Sequence, residues 1–228
     1  MGAGAQGVSG HHHARGLGMA SAGSRRRLID ELRADGIRDV RVLAALEKVP
    51  RHEFVDDALK SRAYENNALP IGHAQTISQP YIVALMTEAL IRDRMPRRVL
   101  EIGTGCGYQT AVLASLVPAV FTVERLRPLS EQARARLRAL GFENVFFTYA
   151  DGMDGWPAYA PYDAIIVTAA ADAVPPALVE QLAPAGRLVI PVGSAGSQSL
   201  RLIEKRTDGL TDRALAAVSF VPLLSGRG

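Results

Sequence analysis

Between Arg98 and Ala114 the chain reads strand, glycine turn, helix without a break, and no other stretch limits the fold as tightly. Val99, Leu100 and Ile102 form a short apolar run suited to a strand buried on both faces, and a helical apolar pattern resumes at Ala111, Val112 and Leu113. Gly103, Gly105 and Gly107 fill the turn between them. Lacking a Cβ, such residues take positive φ and let a ligand lie against the backbone where the following helix points its free N–H groups. The competing reading is a glycine turn kept only for tight strand–helix packing.

The spacing is G-x-G-x-G, with Tyr108 where a dinucleotide fingerprint would place its third glycine. That favours S-adenosylmethionine over NAD, because a sulfonium cofactor brings no pyrophosphate to the helix end. Glu124 lies 124 − 103 = 21 residues past the first glycine and closes the apolar run from Ala119 to Val123. A carboxylate at that second strand end can accept both ribose hydroxyls.

Two hundred and twenty-eight residues suffice for one large domain with a substantial core. An apolar share of 48% without an uninterrupted run of membrane length points to a soluble chain. The net charge of +3 is spread out apart from Arg25, Arg26 and Arg27, so neither a nucleic-acid nor a membrane partner is expected. A single cysteine, Cys106, excludes an internal disulfide and leaves no thiolate set for zinc. The expectation is a cytoplasmic monomer with no metal site. Residues 1–23, rich in Gly, Ala and Ser and carrying His11, His12 and His13, read as a disordered leader or tag remnant, with Met19 as an alternative start. Residues 24–228 then form one domain: N-terminal helices and a functional loop over 24–97, and the core over 98–228.

Leu28, Ile29 and Leu32 stripe a basic helix that stops near Gly36. Asp39 reads as the N-cap of a helix from Val40 to Val49. Residues 51–79 lack long apolar runs and read as an extended loop, a length that is uncommon unless functional. Ser78 ahead of Gln79 and Pro80 reads as the N-cap of a helix through Ile91, with Ile82, Val83, Leu85, Met86 and Leu90 inside. Past the glycine turn, a helix from Pro128 to Leu140 and strands at 144–149, 162–168 and 186–193 continue the alternation. Thr207 to Leu210 reads as a hairpin turn between strands at 198–206 and 211–224. The whole describes an α/β fold: a Rossmann-like, doubly wound, mostly parallel sheet ending in an antiparallel hairpin, behind an N-terminal helical cap. Asp151 at a strand exit can accept from an adenine amino group, or it closes an Asx turn with no ligand.

From residue 24 to 224 the chain resembles the bacterial protein-L-isoaspartate O-methyltransferases. The resemblance is carried by Ala63–Gly72, Gln75–Tyr81, Val99–Thr110, Tyr162–Ala170 and Phe220–Leu223. It implies methylation, from S-adenosylmethionine, of the free α-carboxylate of isoaspartyl residues in damaged proteins and peptides, giving an ester that collapses to a succinimide. By the same resemblance, Ser78 is the catalytic residue, and Thr76, Ser78 and Val221 bind the substrate. Ile77, Gly103, Thr104, Gly105, Gly107, Tyr108, Glu124, Asp151, Gly152 and Thr168 hold the cofactor. Ala74 departs from a glycine expected there, and an altered order of the last two strands is a family feature the sequence leaves open.

The chemistry agrees. A carboxylate with a pKa near 4 is already ionised at neutral pH, so no general base is needed, and the sequence offers none. Two rivals stand beside this reading. An enzyme methylating a nucleobase amino group commonly places Asp/Asn-Pro-Pro-aromatic after the fourth strand, where this chain has Thr168 to Asp172. The other rival is a cofactor sensor without turnover. His73 reads as a surface or loop residue, His52 as a helix-end residue, and Trp156 as a packing anchor beneath the adenine loop.

Overall fold

The computed structural model describes the backbone of residues 11–228, with side chains from Ala22 onward. Helix α1 runs His11–Ala34, so residues 11–23 of the stretch expected to be a disordered leader are helical backbone. Residues 1–10 of that stretch lie outside the described residues. Helix α2 follows (Val40–Lys48), and the Asp39 carboxylate caps it by accepting from the N–H of Arg41 at 2.9 Å and of Val42 at 3.4 Å.

The stretch expected to be one long loop is more ordered than its composition suggested. It holds two short 3₁₀ turns, Arg51–Phe54 and Asp57–Arg62, and then an antiparallel hairpin of β1 (Leu69–Gly72) and β2 (Gln75–Ile77). Its turn passes through Gly72, His73 and Ala74, all at positive φ. Helix α3 (Pro80–Ile91) leads to the core.

The core comprises β3 (Arg98–Ile102), α4 (Tyr108–Ala114), β4 (Ala119–Glu124), α5 (Arg127–Ala139), β5 (Val145–Tyr149), β6 (Tyr162–Val167), a short α6 (Pro176–Glu180), β7 (Leu182–Val192), β8 (Gln198–Arg206) and β9 (Gly209–Val218). Seven strands form one sheet in the order β5-β4-β3-β6-β7-β8-β9. The first five are parallel, and β8 and β9 are antiparallel. The last two strands therefore sit in chain order, β8 beside β7 and β9 at the edge.

Both faces of the central strands β3, β4 and β6 are covered, which is why these strands read as apolar runs, while edge strand β9 is largely exposed. Val99, Val120, Ile166 and Val189 point toward the cluster built with α1 to α4, while Leu100, Phe121, Ile165 and Leu188 point to the other face, where Leu178 of α6 packs. The chain doubles back between β3 and β6, and this switch point opens a crevice at the carboxyl ends of β3, β4 and β6.

Strand β9 ends at Val218, short of the expected Leu224. The cause is local: the Gln198 amide accepts from Phe220 N–H at 2.6 Å and donates to Phe220 O at 3.1 Å. The chain then crosses the sheet end and bonds Ala170, Ala170 N–H to Val221 O at 2.8 Å and Leu223 N–H to Ala170 O at 2.7 Å.

Candidate active site

A cavity of about 710 Å³ opens at the switch point, within the usual size range of small-molecule sites. Its wall brings together Thr76, Ile77, Ser78, Gly103, Thr104, Gly105, Tyr108, Glu124, Gly152, Thr168 and Val221, eleven of the residues singled out from sequence. Two others, Gly107 and Asp151, are not among the wall residues but adjoin them, Gly107 between Cys106 and Tyr108 and Asp151 beside Gly152.

Glu124 anchors the glycine turn. Its Oε2 accepts from Gly105 N–H at 2.8 Å and its Oε1 from Leu126 N–H at 2.9 Å, so a carboxylate only 5% exposed is held in one orientation. These two bonds leave each oxygen a further lone pair, and Glu124 lines the cavity, so the carboxylate can accept a pair of ribose hydroxyls there. Behind it, Thr104 Oγ1 shares a 2.6 Å hydrogen bond with Thr122 Oγ1, which donates to the buried Glu101 at 2.6 Å. Thr104 thus turns its hydroxyl into the protein. Glu101 is pushed up to about 8 by burial, against the lowering effect of the Thr110 and Thr122 hydroxyls.

The glycines differ in their reasons. A Cβ on Gly103 would stand 2.3 Å from Thr168 Oγ1, which donates to Gly103 O at 2.6 Å, and one on Gly107 would press within 3.1 Å of Leu137 on α5. These positions are forced by packing, as the competing reading supposed. Gly105 is different: at φ +53 its Cβ would meet only Ile71 Cδ1 at 3.5 Å, and otherwise project into the cavity. The protein leaves a place there for a ligand to approach backbone. That open cradle, the oriented carboxylate and the cavity volume together fit an adenosyl cofactor.

Strand β2 and the residue that follows it deliver Thr76, Ile77 and Ser78 to the cavity wall. Ser78 is not the N-cap of α3: Gln79 holds that position, without a side-chain cap bond, and Pro80 occupies the first turn. The crossing segment after β9 supplies Val221.

Asp151 closes an Asx turn, Oδ1 accepting from Met153 N–H at 2.8 Å, while Oδ2 accepts from Gly226 N–H. Tyr108 is buried, edge-on to Phe54 at 5.4 Å and under the Arg51 guanidinium at 4.8 Å. Trp156 packs edge-on against Phe121 and Tyr159 and takes no part in the cavity wall, as the packing-anchor reading held. His73 is exposed on the hairpin turn; His52 Nδ1 meets Tyr64 Oη at 2.7 Å, and burial lowers its pKa. Sequence reasoning missed Ile82, Val83, Leu126, Phe220 and Leu223, which line the cavity with apolar surface. Leu126, two residues past the anchoring carboxylate, was findable by position; Phe220 depends on the crossing.

Comparison with known proteins bears on what this cavity is. The protein-L-isoaspartate(D-aspartate) O-methyltransferase family profile matches residues 23–228. A protein-L-isoaspartate O-methyltransferase of Halorhodospira halophila is 58% identical over 215 residues, covering 94% of this chain and 98% of its own. A solved structure of that name superposes with a TM-score of 0.81 at 33% identity, over 90% of this chain and 67% of its own. A Plasmodium falciparum structure named as a beta-aspartate methyltransferase, in complex with S-adenosyl-L-homocysteine, superposes with a TM-score of 0.77 at 26% identity, over 88% of this chain and 98% of its own. With residues 23–228 matched, the chain belongs to the protein-L-isoaspartate(D-aspartate) O-methyltransferase family.

Proposed function

We propose that the cavity at the switch point transfers a methyl group from S-adenosylmethionine to the free α-carboxylate of an L-isoaspartyl residue, as the first step of protein repair. One observation carries the assignment of roles: Ser78, free of capping duty, and the Gly105 backbone clamped by Glu124 line one cavity. When bound, the cofactor supplies an electrophilic methyl carbon on a sulfonium sulfur.

The chain's own residues do the rest. Glu124 accepts the ribose hydroxyls, and Gly105 lets the cofactor lie against backbone. Asp151 receives the adenine amino group through lone pairs that Met153 and Gly226 leave open, beside Gly152, whose Cβ would clash with Ile102 Cγ2 at 2.5 Å. Thr168, fixed by its bonds to Ile102 O and Gly103 O, shapes the floor of the site.

Ser78 donates to one acceptor oxygen and aims the other at the methyl carbon; Thr76 and Val221 bracket the peptide. Attack joins carboxylate oxygen to methyl carbon, and the carbon–sulfur electron pair stays on sulfur. Opposite charges vanish in this step, so walls such as Ile77, Ile82, Val83 and Phe220, which exclude water, favour it. Alignment supplies the larger share, roughly 7–11 kcal/mol for well-oriented pairs. No proton needs removing, because the acceptor is already ionised. The methyl ester then collapses to a succinimide without further help.

The acceptors are isoaspartyl proteins and peptides. The proposal includes a cytoplasmic monomer that uses neither nucleic acid nor membrane; the small, spread net charge and the single, buried Cys106 support it. The test is incubation with methyl-labelled cofactor and an isoaspartyl peptide beside its aspartyl twin. Base-labile label on the isoaspartyl peptide alone supports the proposal; label on neither, or on both equally, refutes it.

A further inference from the structure

If Ser78 were the N-cap of α3, Gln79, Pro80 and Tyr81 would be its first three helical positions. An N-cap hydroxyl accepts from the second or third of these, and proline has no N–H. The only donor such a cap could take is therefore Tyr81 N–H. In the structure that N–H donates instead to Asn66 Oδ1 at 3.0 Å, from a residue 15 positions upstream.

Asn66 is itself held from several sides. Its Nδ2 donates to Glu31 Oε1 on α1 at 3.1 Å and to Asp35 Oδ2, just past the end of α1, at 3.4 Å. The backbone flanking it is pinned by Arg51, a residue with 0% exposure: Nε donates to Ala63 O at 2.9 Å and Nη2 to Asn67 O at 3.2 Å. The same guanidinium lies over the Tyr108 ring at the start of α4. The segment carrying Asn66 is thus fixed both to the glycine-turn helix and to the N-terminal cap.

We infer that Asn66 is a positioning residue, which caps α3 in place of Ser78 and so keeps the Ser78 hydroxyl free for the acceptor carboxylate. Without Asn66, Ser78 Oγ, three residues ahead of Tyr81 and of a type that caps far better than the intervening Gln79, takes the Tyr81 N–H, which turns the hydroxyl from cavity to helix. The inference rests on the role proposed for Ser78.

The experiment is a double-mutant cycle in the full chain with Asn66→Ala, Ser78→Ala and the pair. It reads kcat and KM for an isoaspartyl peptide, affinity for S-adenosylhomocysteine by calorimetry, and hydrogen exchange at the Tyr81 amide. Asn66→Ala should lose about tenfold or more in kcat/KM, the scale of one hydrogen bond to a charged group, with cofactor affinity kept. In the Ser78→Ala background it should cost no more than about twofold further, because both changes remove one function. The Tyr81 amide should stay protected in Asn66→Ala, where Ser78 takes over the cap, and exchange fast only in the double variant. Asn66→Asp keeps an acceptor oxygen for Tyr81 N–H but sets a carboxylate against Glu31 and Asp35, so it is made beside Glu31→Gln and Asp35→Asn, and there should retain activity within about threefold of the Glu31→Gln, Asp35→Asn protein.

Losses that multiply, an unprotected Tyr81 amide in the single variant, or full activity in Asn66→Ala beside a defective Ser78→Ala would overturn the inference alone. A Ser78→Ala protein working at the parent rate would overturn the Ser78 role, and this inference with it.

Discussion

The amide of Gly105 donates to Oε2 of Glu124 across 2.8 Å, joining the glycine turn after β3 to the acidic end of β4. The two features read separately from sequence, a Cβ-free turn and a carboxylate 21 residues on, are one device: the carboxylate sets the turn, and the turn sets the carboxylate. Glu124→Ala should therefore weaken cofactor binding by about 1.5–3 kcal/mol, the range for a hydrogen bond to a charged group. Titration calorimetry on the folded variant reads this directly, and an unchanged affinity would remove the ribose assignment.

The glycines should separate into two kinds. Gly103→Ala forces a Cβ onto Thr168 Oγ1 and should cost the fold about 1–3 kcal/mol in denaturant unfolding. Gly105→Val meets open cavity, so its fold should suffer only the left-handed backbone penalty of about 1–2 kcal/mol while cofactor binding is abolished. A Gly105→Val protein that binds S-adenosylhomocysteine normally would show that the ligand lies elsewhere.

Glu101 makes stability depend on pH. Its folded pKa, about 8, lies above the ordinary carboxylate value, so the folded state holds the proton more tightly. The stability this contributes is whole below the unfolded pKa, near 4.3, and is lost as pH rises toward 8. Glu101→Gln cannot ionise and keeps an acceptor for Thr110 and Thr122. Relative to the parent it should gain stability steadily between about pH 4.5 and 8, by up to a few kcal/mol. A constant gap in melting temperature across that window would refute a neutral buried Glu101.

Ala74 sits at φ +54 on the β1–β2 turn, a conformation that strains a residue with a Cβ. Ala74→Gly should relieve that strain, offset partly by the greater chain entropy of glycine, for a net gain of about 0.5–1 kcal/mol. Equilibrium unfolding checks it; a destabilised variant would mean that the turn is held differently.

What could be read in advance followed from local patterns. Val99 to Ala114 announced strand, turn and helix because apolar periodicity and glycine spacing are properties of neighbouring residues, and Asp39 capped α2 as its position suggested. The failures have two sources, tertiary contacts and one turn of unusual residues. Ser78 has every local feature of an N-cap, yet Asn66 arrives from another segment to take the bond. The β1–β2 hairpin escaped notice because its turn uses His73 and Ala74, residues that do not advertise positive φ. Strand β9 looked longer because Phe220, Val221 and Leu223 continue an apolar pattern, which the Gln198 amide and Ala170 divert across the sheet end. That diversion carries Val221 into the cavity, so the residue was identified by family resemblance and its route was not.

The central claim is that this cavity aligns an isoaspartyl carboxylate through Ser78 with a methyl donor held by Gly105 and Glu124. Its most direct test is the rate of labelled methyl transfer to an isoaspartyl peptide and to its aspartyl twin, by the parent protein and by Ser78→Gly. The parent should label the isoaspartyl peptide alone. Ser78→Gly should fold and bind S-adenosylhomocysteine as the parent does while transferring about tenfold more slowly or worse, the scale of one hydrogen bond to a charged group. Equal labelling of both peptides, or a Ser78→Gly protein that works at the parent rate, would contradict the account.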